Sequence, residues 1–137
     1  MDKDRFRDET FEYISRYFDN SLSELSERNT GYEGVFRRVD ANRFFATIYK
    51  DGQDVARATI YMGGILGSGI NYIQGQTTTE SSLNESLTVD ADDQSLYLTS
   101  LGMSSFVHAR GQKLSQEGAA ELLWGLVMQP LQQRSTW

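Results

Sequence analysis

The chain has 137 residues, 39% hydrophobic and 12% aromatic, with 13 Lys and Arg against 19 Asp and Glu, a net charge of −6 and a pI near 4.7. That size and composition fit one globular domain, residues 1–137, and an acidic surface argues against general nucleic-acid binding because it repels phosphate backbones. The absence of cysteine removes disulfides and thiolate chemistry, no apolar run approaches the ~20 residues of a membrane span, and the charged start MDKDRFRDETFEY has no signal-peptide core, so a cytoplasmic protein is expected.

The first element, residues 4–28, reads as a helix. Phe11, Ile14, Phe18, Leu22 and Leu25 recur at three- and four-residue steps and form one stripe, which Tyr13 and Tyr17 widen. Acidic residues crowd its start and RNTG stops it. From Tyr32 the period changes to two. GVFRRV and RFFATIYK read as strands joined by the turn DAN, and Asp51-Gly52 is a hairpin turn into the run ending at Met62. In that run Ala56, Ala58, Ile60 and Met62 alternate with Val55, Arg57, Thr59 and Tyr61, which predicts one packed sheet face and one wetter face. Arg37, Arg38 and Arg43 flank one turn and read as a solvated hairpin edge.

INYIQ reads as a further strand, and residues 75–84 as a polar loop. In ESLTVDADDQSLYLTSL, Leu87 and Val89 answer Leu96 and Leu98 across the acidic turn from Asp90 to Asp93. SQEGAAELLWGLVMQPLQQR is helical, with Ser115 as N-cap and Pro130 expected to kink or end it near Gln129. The fold class is therefore α+β: an N-terminal helix, an antiparallel sheet of five or six strands, and a C-terminal helix.

The run MGGILGSGINYIQGQ holds Gly63, Gly64, Gly67 and Gly69. A phosphate-binding loop ends in Lys followed by Ser or Thr, and a dinucleotide fingerprint opens a helix with a third glycine where Tyr72 stands. Neither pattern is met, so the glycines read as a turn. DADDQS lacks the glycine and the final glutamate of a calcium loop, since Ser95 and Leu101 occupy those positions. His108 is the lone histidine, and SSFVH sets Ser104 and Ser105 near it without defining a triad. An acid pair drawn from Glu80, Glu85 and Asp90 working with His108 is the hydrolase alternative. The NES at 84–86 matches a glycosylation acceptor but lacks the accompanying signal peptide.

The stretches ATIYMGGILGSGINYIQGQ, NESLTVDADDQSLYLTSLGM and LSQEGAAELLWGLVMQPLQ together resemble an accessory domain at the C-terminal ends of bacterial TIR-type signalling and defence proteins, over residues 34–132. The resemblance implies a sensing or interaction role and carries over no active-site residue. By architecture alone, the helix-flanked sheet is also similar to small dimeric secretion chaperones, which differ by a helix in mid-sheet.

These readings converge on a non-catalytic module that binds a protein partner or small ligand, with no nucleic acid, membrane, metal or cofactor. The expected ligand or partner surface comprises Tyr61, Asn71, Tyr72, Asn84, Glu85 and Tyr97. The apolar excess of the first helix, together with Trp124 and Leu131 of the last, points to a two-fold homodimer if both helices pack on one sheet face; helices on opposite faces would leave a monomer.

Overall fold

The computed structural model describes residues 2–63, 69–75, 85–100 and 113–134, with residues 132–134 described by their backbone alone. Helix α1 (Lys3–Arg28) precedes strands β1 (Tyr32–Asp40), β2 (Arg43–Lys50), β3 (Gln53–Met62), β4 (Ile70–Gln74), β5 (Glu85–Ala91) and β6 (Leu96–Ser100), and helix α2 (Gln116–Arg134) closes the described chain. The six strands pair antiparallel in sequence order, β1 to β6. The α+β class and element order expected from periodicity are thus found. Among the described residues no helix is long and apolar enough to cross a membrane.

Each element begins and ends for a local reason. The Asp2 carboxylate caps α1 by accepting from the Arg5 N–H at 3.0 Å. Asn29 ends the helix, and Gly31 at φ +88 lets the chain reverse into β1. Asp51 and Gly52, both at positive φ, make the tight turn between β2 and β3. The Ser115 hydroxyl caps α2 by accepting from the Gly118 N–H at 3.0 Å. Pro130 does not end α2, which continues to Arg134. Proline removes only one N–H from the ladder, and Leu131 beyond it still packs against the core.

Both helices lie on one face of the sheet. The core joins Phe11, Ile14, Phe18 and Leu22 of α1 to Phe44, Ala46 and Ile48 of β2, Ala58 and Ile60 of β3, Leu87 and Leu98 of β5 and β6, and Ala119, Leu123 and Val127 of α2. Phe18 holds the junction, its ring 5.4 Å from Phe44 and 5.3 Å from Trp124. At Gly34 of β1 the helix comes so near that a Cβ would sit 2.6 Å from the Leu22 carbonyl oxygen. There the Gly34 N–H donates to Ser26 Oγ at 2.8 Å, so the end of α1 occupies part of the free edge of β1. The other edge is partly closed by Leu114, which exchanges two backbone hydrogen bonds with Leu98.

The opposite face departs from expectation. Strand β2 is buried from Arg43 to Ile48 without alternation, and Thr59 and Tyr61 are as buried as their neighbours Ala58 and Ile60. The second face is therefore closed off at its centre rather than wetter. The arginine trio separates likewise. Arg37 is exposed, Arg38 pairs with Glu12, and Arg43 is 6% exposed with its guanidinium 4.8 Å from the Tyr61 ring. Only Arg37 behaves as a solvated edge residue.

Candidate partner-binding groove

The described members of the expected surface, Tyr61, Asn71, Tyr72, Glu85 and Tyr97, are divided between the two faces of the sheet. Successive strand residues point to opposite faces, so Asn71 and Tyr72 cannot share one. Register places Tyr72 opposite Ile60 and Glu85, on the helix-covered face. Tyr61, Asn71 and Tyr97 belong to the other face. Tyr61, Asn71, Tyr72 and Glu85 are all buried, and Tyr97 is half-buried under Lys113, whose ammonium lies 4.9 Å from the ring. Burial pushes the Tyr72 phenol well above its usual value. Asn84 lies outside the described residues.

Two of these residues do have a clear structural task. Arg43, Tyr61, Asn71 and Ser86 stand side by side on β2 to β5. The Asn71 amide donates to the Gly63 carbonyl and its oxygen accepts from the Ser86 hydroxyl at 2.8 Å. That arrangement satisfies buried polar groups and links the ends of three strands. The Gly63 N–H also donates to the Gly69 carbonyl at 3.1 Å. Gly64 and Gly67 lie outside the described residues.

The acid-pair scheme loses its described members. Glu85 is fully buried on the helix-covered face, whereas Asp90, exposed and five residues on, points the other way and faces Lys3 at 3.9 Å. Asp92 is a turn residue. It accepts from the Gln94 and Ser95 N–H groups and pairs with Lys113, and the Lys113 bond holds its carboxyl well below the usual range. No metal-binding cluster occurs among the described residues. Glu80, Ser104, Ser105 and His108 lie outside them.

Among the described residues an open groove lies between the helices. Its volume is about 320 Å³, lined by Tyr17, Ser21, Glu24, Leu25 and Arg28 of α1, Asn29, and Trp124 and Met128 of α2. Steps of three and four bring the α1 residues onto one flank, beside the buried stripe. Trp124 stands edge-on against Phe18, its ring at 84° to the phenyl plane. A second hollow of about 200 Å³ adjoins it along α1, lined by Tyr13, Arg16, Tyr17 and Asn20. Tyr17 lines both. Burial raises the Tyr17 phenol above its ordinary value, and the negative charges of Glu121, Glu117 and Glu24 add to the shift. The charged lining of the groove is Glu24 and Arg28; aromatic walls beside the Glu24 carboxylate suit a cationic side chain, through ring–cation contact and ion pairing. The clue in the sequence was that Tyr17 and Trp124 lie just outside the narrow apolar stripes of their helices.

A family model described as the Y4lF protein domain matches residues 33–129. The chain is also 68% identical, over 132 residues, to the uncharacterised protein y4lF of Sinorhizobium fredii. The match covers 96% of this chain but 41% of that relative, so the chain spans well under half the relative's length. No solved structure matches it.

Proposed function

The chain belongs to the Y4lF domain family, and from its geometry we propose a non-catalytic, protein-binding module that takes a basic side chain of its partner into the groove between α1 and α2. One observation carries this reading: Tyr17 and Trp124 wall an open groove whose rim bears Glu24, with Glu117 and Glu121 close enough to raise the Tyr17 phenol. Tyrosine, tryptophan and methionine are enriched where proteins meet, because they add contact area at little entropic cost. The reading extends to an accessory role in cytoplasmic bacterial signalling or defence. Its support is a bacterial relative in which the matched region is 41% of a longer protein.

The test is a titration of Trp124 fluorescence with hexa-arginine and, separately, hexa-glutamate. A Trp137→Phe background leaves Trp124 as the lone indole of a chain that has two tryptophans. Hexa-arginine is expected to change the emission saturably and hexa-glutamate to leave it unchanged, with Glu24→Gln weakening the first response. Equal responses to both peptides, or none to either, overturn the proposal.

A further inference from the structure

We infer that the partner of this groove is a second copy of the chain, docked through α1 in antiparallel register about Asn20; the inference rests on the groove being a docking site. Arg16, Asn20 and Glu24 follow one another at four-residue steps and are all exposed, so they form one line along the outer surface of α1. Read along the helix, the line is positive, neutral, negative. Its reverse is negative, neutral, positive. Two copies crossing antiparallel at Asn20 therefore set each Arg16 opposite the other copy's Glu24, whereas copies aligned in parallel set like against like.

Three further observations agree. Among the described residues Arg16, Glu24 and Arg28 make no ion pair, while Arg7, Arg38, Arg57 and Lys113 are all paired within the chain. The line is flanked by the half-buried Tyr13 and Tyr17, whose rings lie 6.5 Å apart and supply apolar contact beside the charges. The two hollows that meet at Tyr17 fall on this surface, one lined by Arg16 and the other by Glu24. The second copy's Arg16 is then the cation that Glu24, on the lining of the groove, accepts. Two-fold symmetry repeats the contact, so the interface closes with two copies.

Sedimentation equilibrium from micromolar to millimolar protein tests this. The mass is expected to rise from 15.5 kDa to twice that value with concentration. Arg16→Glu or Glu24→Arg alone turns two attractive pairs into two repulsive ones and is expected to weaken association by about tenfold or more. The double variant Arg16→Glu/Glu24→Arg restores attraction with the signs exchanged and is expected to recover the dimer. All these side chains are exposed, and far-UV circular dichroism checks that the fold is kept. A mass of one chain throughout, or a dimer indifferent to both single reversals, overturns the inference. The second result directs attention to another surface, such as the edge strand β1 with Val35 and Val39 at 38% and 43% exposure. A monomer whose Trp124 still responds to hexa-arginine overturns self-pairing alone and leaves the groove as a site for a foreign basic partner.

Discussion

The two faces of the sheet are buried by different means. Under the helices, burial is apolar packing: Phe44, Ala46, Ile48, Ala58, Ile60 and Leu87 meet the stripes of α1 and α2. On the other face Phe45 and Ile73 are buried beside Arg43, Thr47, Thr59, Asn71 and Ser86, and hydrogen bonds carry much of the order. Apolar packing is non-directional and scales with area, whereas a buried polar row holds only while every member keeps its partner. The helix face should thus fail through lost volume and the polar face through lost pairing.

The largest effect is expected at the helix face. Phe18→Ala opens a cavity between Phe44 and Trp124 and should cost about 3–5 kcal/mol in urea denaturation. Gly34→Ala should also destabilise strongly, because the new methyl meets the Leu22 backbone rather than a movable side chain. A loss below ~1 kcal/mol for both would mean that α1 is not seated on β1 and β2 as described.

On the polar face Asn71→Ala should cost about 1–3 kcal/mol, since it strands the Gly63 carbonyl and the Ser86 hydroxyl. Ser86→Ala removes one end of the same link. In a double-mutant cycle the pair should therefore lose less than the sum of the single losses. Additive losses would break the contrast by showing that this face, too, is held by volume alone.

Much of this architecture was legible in the sequence, and for identifiable reasons. Long regular patterns locate elements well, so the stripe from Phe11 to Leu25 and the alternation after Tyr32 placed α1 and the first three strands. The apolar excess of the helices left open whether they share a face, and the single core that joins both to the sheet decides it. What alternation did not reveal was the closing of the second face, because Thr59 and Tyr61 look the same in sequence whether wet or buried. The candidate site failed by period. Asn71, Tyr72 and Glu85 were grouped by chemistry, while the pleat sent Asn71 one way and Tyr72 and Glu85 the other. The groove needed two helices to be set side by side, which no pattern within either helix specifies.

Glu85 is the exception that sharpens the comparison, a carboxylate on the apolar face. Its Oε1 accepts from the Ser86 N–H at 2.9 Å, and its buried Oε2 has no hydrogen-bond partner among the described residues. Glu85→Gln keeps the first contact and puts a neutral amide where the unpartnered oxygen lay. It should raise stability by about 1 kcal/mol at neutral pH, read from the thermal midpoint. A fall in stability would show that the carboxylate is held there for a purpose that apolar packing does not explain.

The smallest expected effect lies on the rim of the helix face, where the two flanks of α1 differ. The α2 side is left as a groove, but the β1 side is fastened by Arg38, which donates to Glu12 at 2.7 and 3.3 Å, to Ser15 Oγ at 3.2 Å and to the Ala41 carbonyl at 2.9 Å. The guanidinium also lies 5.1 Å from the Phe11 ring. Its hydrogen bond to Glu12 lowers that carboxyl below the ordinary 4.5, outweighing partial desolvation. A lowered folded pKa means that the unfolded chain takes up the proton first as pH falls. The pair's contribution is therefore complete above the ordinary value and is lost as pH drops through the lowered one. Both side chains are substantially exposed, at 31% and 50%, so solvent screening holds the contribution to a few tenths of a kcal/mol, roughly. Glu12→Gln should be slightly less stable than the parent at pH 7, with a smaller deficit near ~pH 3, below the ordinary value. The check is paired urea titrations at the two pH values in low salt. A deficit undiminished in acid would show that Glu12 works through packing on β1 rather than through its charge.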